Sequence, residues 1–199
     1  MKEIDARGIE CPMPVIMAKR LVKEGLDEFK VLVDEKIAVD NLKKMAKQVS
    51  YDVLVSEENS SDFKLSFKKS VDKKASGEDL TINCKANSSD NYLVVFDDEG
   101  IGNGDPEFSK KLLESFLLAL SEADNLPKYV ICYNKGVFLT SLRENTIEDF
   151  KKLEEAGVKI LSCGLCLDYY KLKDDLKVGS ISNMYEIVDL MTQFRVVRP

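Results

Sequence analysis

A polar stretch near the middle of the chain divides its apolar residues into two blocks. Between residues 69 and 91 the density of apolar residues falls, and Lys, Ser, Asp and Asn dominate, which is typical of a connecting segment. A chain of 199 residues is long enough for two domains of ordinary size, each with its own core. We therefore predict two domains, residues 1–69 and 91–199, joined by a linker over residues 70–90.

The first block alternates strand and helix patterns in the order β-α-β-α-β-β. Alternating apolar residues predict strands around Val31, Val53 and Leu65, and helical spacing predicts amphipathic helices after Pro12 and around Leu42. This order suits a two-layer α/β sandwich, in which two helices pack on one face of a four-stranded sheet.

The second block opens with the consecutive apolar residues Tyr92–Phe96, which are typical of a strand buried on both faces of a parallel sheet. Further apolar strands are predicted at residues 129–133 and 158–161, with helical patterns between them. The helix that begins at Pro106 is predicted to carry Phe108, Leu112, Phe116 and Leu120 on a common face. The alternation indicates a doubly wound, mostly parallel sheet.

Composition excludes several classes of protein. A formal charge of -6 and a pI near 5.0 argue against direct contact with nucleic acid, because that binding depends on clustered Lys and Arg. No apolar run approaches the length that spans a bilayer, and the first residues do not form a signal peptide, so we expect a cytoplasmic protein. Histidine is absent, which removes Cys-His pairs, Ser-His-Asp triads and His-containing metal sites; we expect no metal and no cofactor.

The run Cys11-Pro12-Met13-Pro14 stands where the first helix should begin, and it points to thiol chemistry. Proline suits the first turn of a helix because its missing N–H costs no intrahelical hydrogen bond. If Cys11 is the N-cap, the N–H of Met13 and the helix dipole both favour its thiolate. The alternative is a small apolar residue that fills a gap in the core, but a core cysteine has no need of the N-cap position.

Charged neighbours of Cys11 act in opposite directions. Arg7 is expected to add a cationic neighbour to the sulfur, whereas Asp5 and Glu10 oppose it.

The other cysteines leave more than one interpretation open. The five cysteines are an odd count, which favours reduced thiols over a disulfide framework. Cys163 and Cys166 form a CxxC pair at a strand end, which fits a redox dithiol, a persulfide site, or two small residues at a tight turn; zinc is disfavoured because a second ligand pair is lacking. Cys132 lies in an apolar strand and is expected in the core, and Cys84 is expected to be an incidental thiol of the linker.

The stretch from Asp5 to Pro14 resembles the signature of the TusA/SirA family of sulfur-carrier proteins. The second half resembles DsrE/DsrF-like domains in Gly102–Asp105, in Asn134–Val137, in the CxxC run and in Val178–Tyr185. The fusion of the two is similar to the YedF-type proteins, which are sulfurtransferase-like and linked to selenium metabolism.

The resemblance implies that Cys11 accepts a sulfane sulfur, or selenium, as a persulfide and hands it on, with Cys163 or Cys166 as a second station. It also implies supporting roles near Cys11 for Arg7, Gly8, Pro12, Met13 and Pro14. The implied partners are a protein persulfide donor, a protein acceptor and further copies of the chain in a homo-oligomer.

The sequence is also compatible with two other hypotheses about function. One is a dithiol oxidoreductase or redox sensor built on Cys163 and Cys166. The other is a non-catalytic interaction module that docks a partner through the helix after Cys11.

Overall fold

A computed structural model of the chain describes residues 2–59, 62–70 and 91–199. The chain divides into two compact units, Met1–Asn83 and Cys84–Pro199. Residues 71–90 of the predicted linker, which include Cys84, lie outside the described residues. The predicted domain boundaries therefore stay a prediction. None of the helices in the described ranges is long and apolar enough to cross a membrane.

The described part of the first unit follows the predicted order β-α-β-α-β-β. Its elements are β1 Lys2–Asp5, α1 Met13–Lys23, β2 Glu28–Val33, α2 Lys36–Gln48, β3 Tyr51–Asn59 and β4 Asp62–Lys69. The sheet has the order β1-β2-β4-β3, in which β1 is parallel to β2 and the other neighbours are antiparallel. The predicted arrangement of this half is confirmed.

The core of the first unit lies between one face of the sheet and the two helices. Alternate residues of β2, among them Phe29 and Val31, are buried and lie opposite Phe67 and Leu65 of β4. The rings of Phe29 and Phe67 stack with their centroids 4.5 Å apart. Helix α2 completes this core with the apolar face that its sequence predicts, through residues such as Leu42. The inward-facing alternate residues of the strands therefore pack against the apolar faces of the helices in one layer.

Over residues 91–199 of the second unit, every strand pair is parallel. The elements are β5 Tyr92–Phe96, α3 Pro106–Ser121, β6 Tyr129–Cys132, α4 Val137–Ser141, α5 Glu144–Glu155, β7 Lys159–Cys163, α6 Gly164–Tyr169, β8 Ser180–Ser182, α7 Met184–Gln193 and β9 Arg195–Val197. The sheet order is β8-β7-β6-β5-β9. Parallel pairing places the carboxyl ends of these strands at one edge of the sheet.

Strand β5 divides the core of the second unit into two layers. Its residues Val94 and Phe96 pack in an apolar cluster with α3 and α5, whereas Leu93 and Val95 pack in a second cluster with α7. All five residues of β5 are buried, because both faces of the sheet are covered. The predicted doubly wound sheet is confirmed.

The predicted apolar face of α3 is buried only in part, since Leu120 is buried and Phe116 packs against the core. Ser109, Leu113, Leu117 and Leu120 face the core, whereas Phe108 is 59% exposed and Leu112 is 39% exposed. Helix α3 carries apolar residues on more than one side, so two stripes at helical spacing were available in the sequence. Packing against the sheet selects between them, and that choice is tertiary.

One glycine fixes the loop after β6 against the end of β5. A Cβ atom at Gly136 would lie 2.1 Å from the carbonyl oxygen of Phe96 and 2.7 Å from its carbonyl carbon. We expect Gly136→Ala to destabilise the second unit by about 2–3 kcal/mol, because the contact is with backbone that has no flexible end to move. Thermal denaturation of the full chain followed by circular dichroism measures the effect as a lower midpoint.

Gly104→Ala is the matched control, because a Cβ there meets nothing within 4 Å. Equal midpoints for the two variants would contradict the close approach of Gly136 to β5.

Candidate functional site

The loop that carries Cys11 leaves the end of β1 and is tied to the neighbouring parallel strand. The N–H of Ala6 donates to the carbonyl of Leu32 at 2.9 Å, and the N–H of Gly8 donates to the Asp34 carboxylate at 2.9 Å. Gly8 has a φ of +69°, a left-handed conformation that glycine adopts without steric cost. These two contacts fix the course of the loop before it reaches the cysteine.

The predicted N-cap role of Cys11 is wrong. The N-cap of α1 is Pro12, whose carbonyl accepts the N–H groups of Val15 and Ile16, and no side chain caps this helix. The N–H of Met13, expected to donate to the sulfur, donates to the carbonyl of Glu10 at 3.1 Å. A local turn therefore takes the donor that the sequence pattern assigned to Cys11. Pro14, which is buried, occupies the first turn as predicted.

The Cys11 sulfur finds its donor on the other helix of the unit. Cys11 is exposed, and the side-chain amide of Asn41 donates to its Sγ at 3.4 Å. Asn41 is half-buried on α2, 30 residues away along the chain. This contact ties the loop that carries Cys11 to α2. Asn41 is a site residue that sequence reasoning missed, since no local pattern marks it.

Arg7 is held by carboxylates. Its Nε lies 2.9 Å from Asp5 Oδ1 and its Nη2 lies 2.6 Å from Asp5 Oδ2, while Nη1 lies 3.4 Å from Asp62 Oδ2. The hydrogen bonds from the Arg7 side chain and backbone lower the pKa of Asp5 to about 2. Asp5 is therefore ionised at neutral pH and offsets the charge of Arg7. A supporting role of Arg7 beside Cys11 stays a prediction.

The second cysteine group lies where β7 ends and α6 begins. Cys163 is the last residue of β7, is fully buried and is the N-cap of α6. Gly164 follows it because a Cβ there would lie 3.0 Å from Ile181 Cγ2 and 3.3 Å from the carbonyl oxygen of Ser182. The strand exit is thus packed tightly against β8.

Cys166 is half-buried in the first turn of α6, and its Sγ accepts the backbone N–H of Asn134 at 3.1 Å. Burial raises the pKa of the Cys166 thiol; the Asn134 N–H acts to lower it, and the neighbouring Cys163 adds to the rise. Cys166 packs against the apolar cluster that contains Cys163, and it is the more accessible of the two cysteines. Asn134 was singled out only as part of a motif, and its donation to Cys166 was not foreseen.

The remaining described cysteine is a core residue, as predicted. Cys132, on β6, is fully buried, and desolvation raises its pKa strongly. Within the described ranges, no three Cys, Asp or Glu side chains gather as a metal-binding group.

Acidic residues after β5 belong to ion pairs. Asp98 lies 3.9 Å from Lys135, which is next to Asn134, and Glu99 accepts from Arg143 at 2.7 Å. These carboxylates hold the loops at the carboxyl edge of the second sheet.

Both halves of the chain match known families. The family model described as sulfurtransferase TusA matches residues 2–69, and the DsrE/DsrF-like family model matches residues 104–199. A protein of Methanocaldococcus jannaschii, named as a candidate sulfur carrier, is 37% identical over 71 residues, which are 35% of this chain and 95% of that protein.

Two solved structures are also similar. The crystal structure of a SirA-like protein from Desulfitobacterium hafniense is 37% identical, with 34% of this chain and 96% of that chain covered and a TM-score of 0.33. A protein of unknown function from Methanobacterium thermoautotrophicum is 27% identical, with 54% of this chain and 99% of that chain covered and a TM-score of 0.40.

The contact between Asn41 and Cys11 predicts a change in thiol reactivity. Asn41→Asp replaces the amide donor with a carboxylate that repels a thiolate, so we expect Cys11 to react about threefold to tenfold more slowly with iodoacetamide at neutral pH. Quenched time points, digested and analysed by peptide mass spectrometry, give the rate for the Cys11 peptide alone.

Gln48→Glu makes the same charge change at the exposed last residue of α2. If both variants slow Cys11 equally, the effect is one of net charge and the hydrogen bond plays no part.

Proposed function

Because this chain belongs to the TusA family through residues 2–69 and joins to it a DsrE/DsrF-like region over residues 104–199, we propose that it carries sulfur as a persulfide on Cys11 and passes it to an acceptor. Both families and the archaeal relative support a sulfur-carrier, sulfurtransferase-like role. The observation that carries the proposal is the exposed Cys11 sulfur, which accepts a hydrogen bond from Asn41 and lies in the segment matched to TusA.

Loading of Cys11 needs only a donor persulfide. The Cys11 thiolate attacks the outer sulfur of the donor, a new S–S bond forms, and the donor's own S–S bond breaks. The donor leaves as a thiolate and takes up a proton, so no external oxidant or reductant is consumed. Delivery is the same exchange in reverse, with an acceptor thiolate as the nucleophile. Exposure of Cys11 gives both partners access to the sulfur, and the Asn41 amide donates a hydrogen bond to it.

Cys166 is the second station in this proposal. It is half-buried at the carboxyl edge of a parallel sheet, whereas Cys163 behind it is fully buried. An incoming persulfide therefore meets Cys166 first. The N–H of Asn134 gives its sulfur a backbone donor.

The proposed partners, compartment and cargo follow from the chemistry of the thiols. The partners are a protein persulfide donor and a protein acceptor. The described cysteines are free, which suits the reducing cytoplasm. Selenium serves as cargo by the same exchange, because it needs the same soft nucleophile.

Self-association of the second unit is also proposed. Leu165 of α6 is 73% exposed and Tyr185 of α7 is 87% exposed. Exposed apolar side chains of this size occur at surfaces that bind another protein, and the partner in this proposal is a second copy of the chain.

The test loads the full chain with inorganic polysulfide, removes the donor by desalting, and follows sulfur by peptide mass spectrometry without reductant. In wild type we expect one added sulfur on the Cys11 peptide, followed by transfer to the Cys166 peptide. Cys11→Ser abolishes the first signal, and Cys166→Ser leaves it in place and abolishes the second.

Cys84→Ser is the control and keeps both signals. Loss of the added sulfur from the Cys11 peptide without its appearance on Cys166 overturns the relay. Equal labelling of wild type and Cys11→Ser overturns the carrier itself.

The packing of Cys166 against the cluster that contains Cys163 supports a second candidate, a dithiol that cycles with an intramolecular disulfide. Two-electron oxidation would join the two sulfurs with loss of two protons. Equilibration of the Cys11→Ser chain in glutathione buffers of graded potential measures this: a reversible Cys163–Cys166 disulfide within the glutathione range supports the dithiol, and two free thiols throughout exclude it.

A further inference from the structure

The loop after β6 is shaped around the Cys166 sulfur. Asn134 has a φ of +50°, in the left-handed region that Asn tolerates better than most residues. In this conformation its N–H points at Cys166 Sγ, 3.1 Å away. Gly136, two residues later, packs this loop onto the end of β5, where no side chain fits. The loop that supplies the donor therefore contacts Cys166 through Asn134 and the end of β5 through Gly136.

Tyr170 closes a ring of hydrogen bonds with the same loop. Its hydroxyl donates to Asn134 Oδ1 at 3.1 Å, and its own N–H donates to the carbonyl of Cys166 at 3.0 Å. Its ring packs on Phe138 with the centroids 4.8 Å apart. One residue at the end of α6 thus binds both the thiol residue and the residue that donates to the thiol.

The hydrogen bond from Asn134 opposes the effects of the site that disfavour negative charge on Cys166. Burial and Cys163 both raise the pKa of this thiol, and the Asn134 N–H lowers it. The side chain of Lys135 pairs with Asp98, and that of Asp168 on α6 pairs with Lys173 at 2.6 Å. The tyrosines that share apolar clusters with Cys166 are Tyr129, Tyr133 and Tyr170.

We propose that the backbone N–H of Asn134 stabilises the charged Cys166 sulfur during sulfur transfer, and that Tyr170 is the positioning residue that holds this donor in place. The inference rests on the proposed function and deepens it at the second station. When Cys166 receives sulfur, its thiolate attacks the outer sulfur of a persulfide and the donor departs as a thiolate. When Cys166 gives the sulfur up, it becomes the leaving thiolate itself. The Asn134 N–H is placed to stabilise this sulfur in both directions.

Tyr170→Phe removes the hydroxyl that holds Asn134 and leaves the ring in place. We expect the pH midpoint for alkylation of Cys166 by iodoacetamide to rise, and its rate at neutral pH to fall by about twofold to tenfold, because the sulfur loses part of its donor. Peptide mass spectrometry of the full chain across a pH series reads Cys166 separately from the other thiols.

Tyr169→Phe is the matched control, since it removes the hydroxyl of the adjacent tyrosine, which is 79% exposed. Its pH midpoint should equal that of wild type. Equal midpoints for Tyr170→Phe and Tyr169→Phe overturn the positioning role of Tyr170.

Variants at Asn134 test the donor itself. Asn134→Gly keeps the N–H and permits the left-handed conformation, whereas Asn134→Ala disfavours that conformation. We expect Cys166 reactivity to fall in the order wild type, Asn134→Gly, Asn134→Ala, with circular dichroism confirming that each chain is folded. Alanine and glycine variants of equal reactivity overturn the donor assignment.

Polysulfide loading of the same variants separates this inference from the proposed function. A midpoint that shifts in Tyr170→Phe supports the donor assignment, even if wild-type Cys166 gains no sulfur. Failure of wild-type Cys166 to gain sulfur overturns its role as a second station.

Discussion

Parallel pairing of neighbouring strands is the constraint on which both thiol sites depend. In the first unit, β1 runs parallel to β2, so the loop with Cys11 leaves the sheet beside Asp34 and the start of α2. In the second unit, β6 runs parallel to β7, which brings Asn134 after one strand to Cys166 after the other. Strand ends that share an edge place loops from distant parts of the chain around one sulfur. Each sulfur then finds a donor that its own loop does not supply.

The two cysteine sites differ in exposure, but each sulfur accepts a hydrogen bond from an N–H group. Cys11 is exposed and accepts a side-chain amide, an arrangement that suits exchange with large protein partners. Cys166 is half-buried, and burial disfavours its thiolate, so a backbone donor on a fixed loop counters part of that cost. In the proposed relay, Cys11 would collect sulfur at an open site and Cys166 would hold it at a sheltered one. Shelter at Cys166 would limit loss of that sulfur to small thiols in solution.

Much of the fold follows from local patterns. The alternation in β2 and β4, the apolar face of α2 and the continuous apolar run of β5 each predict the element that forms and the face that is buried. The N-cap of α1 was predicted wrongly and the predicted face of α3 is buried only in part, for related physical reasons. At α1 a local turn to Glu10 takes the N–H of Met13, and at α3 packing selects one of two apolar stripes. In both cases the sequence is compatible with more than one arrangement: a second partner for the N–H of Met13, and a second apolar side of α3.

The sequence by itself determined that the chain builds two α/β cores and that a cysteine precedes its first helix, because periodicity and proline act within a few residues. Only the tertiary structure decided which groups reach the sulfurs. Asn41 is 30 residues from Cys11 in the chain, and Asn134 is 32 residues from Cys166. Such contacts depend on strand order and on the crossover between parallel strands, and no local pattern encodes either distance. A hydrogen bond of 3 Å is lost when a loop moves by about one residue, so the donors are specified only after the sheets have formed.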